Sequence, residues 1–122
     1  MDELGERIKI LRNCGFVDDS GVRDLNRIAD ALVLECGVSR SDEVLGALIT
    51  HIAAALKRAR DGERINPLSS DVIADVKDSA VYPEALRIQR TLLDSMENDL
   101  PQDERDFVFV HVGGLLMSQA NT

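Results

Sequence analysis

Apolar residues recur at helical spacing along almost the whole chain, and the runs break only where glycine or proline stands. That period, near 3.6 residues, is the strongest local signal of amphipathic helix. Leu4, Ile8 and Leu11 make one face, and Gly15 follows as a stop. Asp19 and Ser20 offer an N-cap for a stripe of Val22, Leu25, Ile28, Ala29, Leu32 and Cys36, which Gly37 ends. Ser39-Arg40-Ser41-Asp42 resembles a capping box. A long helix is expected after it, through Leu45, Leu48, Ile49, Ile52, Leu56 and Ala59, to the break at Asp61-Gly62.

Pro67 marks a loop, and Ser69 or Ser70 caps a short helix carrying Val72, Ile73, Val76 and Ala80. Tyr82-Pro83 opens a further helix, since proline is tolerated in a first turn. Ala85, Ile88, Leu92 and Met96 form its buried face, and Leu100-Pro101 is the expected end. The last segment conflicts with itself. Phe107 to Val112 is β-branched and aromatic and has the local propensity of a strand. A lone strand has nothing to pair with, and a continuous apolar run also suits a helix covered on most sides. The reading is helix, with Gly113-Gly114 as a place where another helix comes close. The expectation is an all-α, compact bundle of about five to six helices. A division near Gly37-Val38 separates an N-terminal helical extension, 1–40, from the main bundle, 41–122.

Composition narrows the function. A chain of 122 residues that is 44% hydrophobic holds one core. A net charge of -8 argues against direct nucleic-acid binding, which needs a clustered basic surface. The N-terminus has neither the basic start nor the apolar run of a secretory signal, and no segment has the apolar length of a membrane span. Cys14 and Cys36 match neither a zinc nor a redox spacing and read as small buried hydrophobes. A soluble cytoplasmic protein without a cofactor or metal is expected.

Only two histidines occur, His51 and His111, and both lie in apolar helical segments. Arg58 follows His51 by two helical turns on nearly the same side, at the rim of the apolar stripe. A rim imidazole keeps a nitrogen lone pair accessible near neutral pH, since its reference pKa is about 6.5. Such a nitrogen can take a phosphoryl group, and a nearby guanidinium would stabilise the dianion. Glu104 precedes His111 by two turns. The two histidines alone do not make a metal site, and no nucleophile–base pair or phosphate-binding glycine loop points to an enzyme.

Four short motifs follow one another in a set order. Thr50 to Arg58 reads T-H-I-A-A-A-L-K-R, Asn66 to Leu68 reads N-P-L, and Tyr82 to Leu86 reads Y-P-E-A-L. Leu100 to Val112 reads L-P-Q-D-E-R-D-F-V-F-V-H-V. From about Leu45 to Met117 the chain resembles the PTS regulation domain family. His51 and Arg58 fall on its His and Arg positions, and His111 on its later histidine, seven residues after the Glu of an L-P-x-D-E element.

The resemblance implies a helical bundle, often dimeric, with His51 and His111 as phosphorylation sites. Arg58, Asn66, Tyr82, Asp103 and Glu104 are the expected phosphate-stabilising or supporting residues. The implied donor is the phosphocarrier protein or a sugar-permease B subunit of the phosphotransferase system. The implied role is transcription regulation, passed on by protein–protein contact to a regulator protein. Family members often have Asp before the first histidine, where this chain has Thr50. They also usually carry two copies and a nucleic-acid module, where this chain has one copy and no basic module, so a stand-alone member is expected.

Ordinary structural roles stand beside these. Arg58 can cover apolar surface with its stem, Tyr82 can anchor a half-buried ring, and Asp103 and Glu104 can complement a helix N-terminus. The alternative function is accordingly a helical dimerisation or interaction module whose histidines only pack.

Overall fold

The computed structural model describes residues 2–63 and 69–120. Six helices follow in order: α1 (Glu3–Asn13), α2 (Asp19–Cys36), α3 (Glu43–Asp61), α4 (Ser70–Lys77), α5 (Tyr82–Ser95) and α6 (Gln102–Ala120). No strand occurs among the described residues.

Local chemistry sets most of the boundaries. Asp2, Asp18, Asp42 and Ser69 each place a side-chain oxygen on a backbone N–H of the first turn that follows. The caps of α2 and α3 therefore differ from the expected ones. Asp18, not Asp19 or Ser20, caps α2. Asp42 alone caps α3, through Val44 N–H and Leu45 N–H, while Ser39 hydrogen-bonds within its own turn. Gly37 and Gly62 close α2 and α3 at φ of 68° and 73°, a region glycine enters without the steric cost of a Cβ.

The apolar stripes meet in one cluster that draws on all six helices. Its fully buried centre is Leu25, Ile28 and Leu32 of α2, Leu45, Ile49 and Ile52 of α3, Ile88 and Leu92 of α5, and Val108, Val112 and Leu115 of α6. Each such side chain stabilises the fold by roughly 1.5–3 kcal/mol relative to exposure. Helix α3 packs against α1, α2 and α6, while α5 packs against α2 and α6 and α4 lies on α6. On α4 only Val76 is buried, and Val72 stays exposed, so its apolar face is narrower than the sequence suggests.

Helix α6 resolves the conflict in the last segment. It touches α3, α4 and α5. A helix covered from three sides buries Val108, Phe109, Val112 and Leu115 without needing a clean amphipathic period. The close approach falls at Gly113 alone. A Cβ there would lie 2.7 Å from Val76 Cγ1, whereas one on Gly114 would meet nothing within 4 Å.

Helix α5 ends earlier than Leu100-Pro101 would require, at Ser95. The cause lies in another helix. Asp24 of α2 is fully buried, and its carboxylate accepts hydrogen bonds from Glu97 N–H at 2.7 Å, Asn98 N–H at 3.2 Å and Asn98 Nδ2 at 2.7 Å. Those N–H groups are turned toward the carboxylate and leave the helical ladder. The connection from α5 to α6 is thus pinned from beneath.

Candidate functional site

Matched spacings on two antiparallel helices build the site. His51 and Arg58 stand seven residues apart on α3, and Glu104 and His111 stand seven apart on α6. Seven residues is close to two turns, or roughly 10 Å of rise. Where the helices cross, His51 meets His111 and Arg58 meets Glu104.

The two imidazoles lie with ring centroids 4.7 Å apart and planes inclined by 53°. Phe107, one turn before His111 on the same face of α6, packs against both. Its centroid is 4.2 Å from that of His111 and 5.5 Å from that of His51, the latter edge-on. The Arg58 guanidinium carbon lies 5.9 Å from the Phe107 centroid, within the range of a cation–π contact. One aromatic ring therefore joins the histidine pair to the ion pair.

His51 is exposed and His111 half-buried. The Nδ1 of His111 lies 2.8 Å from the carbonyl oxygen of Phe107. A carbonyl only accepts, so Nδ1 carries the proton and donates. In the neutral ring that leaves the lone pair on Nε2, which has no hydrogen-bond partner among the described residues. The ring nitrogens of His51 likewise have none there. Burial, followed by the fields of His111 and Arg58, lowers the His51 pKa below its ordinary value and favours the neutral, nucleophilic form.

Arg58 and Glu104 form a bidentate pair, Nε to Oε2 at 2.7 Å and Nη2 to Oε1 at 2.8 Å. The Glu104 side chain is 3% exposed and that of Arg58 is 24% exposed. The carboxylate raises the Arg58 pKa further, so the guanidinium keeps its charge. Glu104 is therefore held by a cation from α3, a stronger contact than the helix-end role open to it from sequence alone.

The other expected residues lie elsewhere. Tyr82 opens α5 and packs edge-on against Phe109, at 6.0 Å, away from the histidines. Asp103 is half-buried in the first turn of α6 without a hydrogen bond or ion pair among the described residues. Asn66, with its N-P-L motif, lies outside the described residues.

Thr50, just before His51, turns toward α1. Its hydroxyl donates to Gly46 O at 3.1 Å and accepts from Arg7 Nη1 at 2.9 Å. Sequence reasoning missed Arg7, because nothing local links residue 7 to residue 50. It also missed Phe107 as the connecting ring, although its spacing of three from Glu104 and four from His111 carried the signal.

Among the described residues no group of three or more metal-ligating side chains comes together, and no helix is long and apolar enough to cross a membrane. The chemistry within reach of the site is phosphoryl acceptance on nitrogen, with a guanidinium on the same helix face as His51.

Comparison with known proteins agrees with the motifs. The model of the PRD domain family matches residues 25–115. An Escherichia coli (strain K12) protein named uncharacterized protein YhfY is 25% identical over 112 residues, spanning 92% of this chain and 93% of that protein. An uncharacterized protein of Haemophilus influenzae (strain ATCC 51907 / DSM 11121 / KW20 / Rd) is 24% identical over 114 residues, spanning 93% of this chain and 89% of its own length. No solved structure matches.

Proposed function

We propose, from the premise that the chain belongs to the PRD domain family, that it is a phosphotransferase-linked regulatory module that receives a phosphoryl group on His51 or His111. The observation that carries this reading is the paired imidazoles, one exposed and the other with Nε2 unbonded among the described residues, on the helix faces that also hold Arg58 and Glu104.

The transfer balances simply. The Nε2 lone pair of His111 attacks phosphorus on a phosphohistidine of the donor. The donor's P–N bond breaks, and its electron pair returns to the donor imidazole. The proton on His111 Nδ1 stays in place and continues to donate to Phe107 O. Positioning and charge stabilisation are most of what such a transfer needs. The donor in this reading is the phosphocarrier protein or a sugar-permease B subunit. The module acts in the cytoplasm as a homodimer, is not itself an enzyme, and passes its state to a transcription regulator by protein contact.

One observation favours a second reading, an interaction module whose histidines only pack. Thr50 stands where the family often has Asp, and it bonds to Arg7 and Gly46 rather than orienting His51. Incubation with a reconstituted phosphotransferase donor system separates the two. The receiver reading expects acid-labile, base-stable phosphate that disappears in the His51→Ala/His111→Ala double variant. Absence of label on the native chain leaves the interaction reading in its place.

A further inference from the structure

Glu104 and Asp24 are the two buried charged side chains among the described residues. Among the described residues Glu104 accepts hydrogen bonds from one group, the Arg58 guanidinium. Among the described residues its pair with Arg58 is also the single side-chain hydrogen-bonded tie between α3 and the first two turns of α6. The other side-chain hydrogen bonds of those turns among the described residues go to α5, to the preceding loop or within α6: Gln89 Nε2 to Arg105 O, Arg105 Nε to Leu100 O, Gln102 Nε2 to Asp106 Oδ1, and His111 Nδ1 to Phe107 O.

We infer that Arg58 is a shared cation, and that phosphate on the histidine pair competes with Glu104 for it and loosens the start of α6 from the end of α3. The inference rests on the receiver reading above and adds the means by which phosphate would change the fold.

Three features support it. Side chains on a helix lean toward its N-terminus, so the Arg58 side chain leans along α3 toward the turn that carries His51. Arg58 already lies close enough to act on His51 electrostatically and to sit against Phe107, which touches both imidazoles. A phosphoryl dianion also offers a guanidinium more charge and more acceptor oxygens than a carboxylate does.

The consequence follows from burial. A carboxylate that is 3% exposed and loses its cation is an uncompensated buried charge. It must turn outward to reach water, and the backbone at 102–108 must move with it. Val108 lies in that segment and is fully buried, so the motion reaches the core.

The test uses potassium phosphoramidate as the phosphoryl source. The imidazole nitrogen attacks phosphorus, the donor P–N bond breaks, and its electron pair leaves on ammonia. Intact mass reports how much label is carried, and amide hydrogen exchange of labelled and unlabelled protein reports opening. The expected result is exchange about tenfold faster at 102–108 and at 57–61 in the labelled chain, with residues 25–32 unchanged. In Glu104→Gln, which has no charge to strand, the same label should leave exchange at 102–108 where it was. Label with unchanged exchange in the native chain overturns this inference and leaves the receiver reading intact. No label at all overturns both. Should Glu104→Gln fail to fold, the native comparison still decides.

Discussion

Asp24 and Glu104 are both acidic and both buried, yet they are held in opposite ways. Asp24 spreads its charge over two backbone N–H groups and one side-chain amide, all fixed in place by the loop that follows α5. Arg27 approaches only to 3.9 Å. Among the described residues Glu104 relies on a single long side chain that is itself partly exposed. The first arrangement rests on two main-chain donors with a side-chain amide added, and acts as a fastener. The second has one partner on rotatable bonds, so a better anion can take it away. A buried charge thus reports permanence or exchange according to what neutralises it, which burial alone does not reveal.

The largest expected effect breaks the fastener. Asp24→Ala strands the N–H groups of Glu97 and Asn98 and should lower unfolding free energy by about 3 to 4 kcal/mol, since hydrogen bonds to charged groups contribute about 1.5–3 kcal/mol each. Urea unfolding measures it, and a loss below about 1 kcal/mol would mean the loop holds itself. Arg58→Ala should cost less, about 2 to 3 kcal/mol. Breaking a fully buried pair costs about 3–5 kcal/mol, and the exposed side of Arg58 gives the freed carboxylate a shorter way to water.

The double variant Arg58→Met/Glu104→Leu sharpens the contrast. With both charges removed and the volume kept, stability should return to within about 1 kcal/mol of the native chain, because apolar replacement of a buried pair is often neutral. A double-mutant cycle reads the coupling directly. No equivalent replacement should rescue Asp24, whose partners include two main-chain N–H groups that an apolar side chain cannot satisfy. Equal rescue at both sites would erase the distinction.

The same contrast explains how much the sequence discloses. Helix number and nearly all of the core residues follow from spacing, since Leu25, Ile28, Ile49, Ile52, Ile88 and Leu92 keep helical period and are buried as that period requires. The family resemblance rests on ordered motifs within 25–115, and it brought His51, Arg58, Glu104 and His111 into view as separate residues. What stayed hidden is pairing across helices. Arg58 to Glu104 spans 46 positions and Asp24 to Glu97 spans 73, distances over which no local period carries information. The end of α5 shows the same limit: Pro101 is visible in the string, and the carboxylate that stops the helix earlier, at Ser95, is not.

The smallest effect concerns protons at the exchangeable end. Among the groups facing His51 are the imidazole of His111 on α6 and the guanidinium of Arg58 on α3, both of which disfavour its charged form, as does burial. Its pKa in the fold is therefore below the ordinary value of 6.5, and in the window just under 6.5 the unfolded chain binds more protons than the folded one. Stability contributed by this residue is present above pH 6.5 and is lost as pH falls through the folded-state value. His51→Gln should flatten that part of the stability–pH curve. Because the ring is largely exposed, solvent screening keeps the slope shallow, and thermal unfolding at closely spaced pH values between 5 and 7.5 is the measurement that resolves it. A native curve that falls with rising pH across this window would mean that the folded state stabilises the charged imidazole, the reverse of what burial and the neighbouring groups impose.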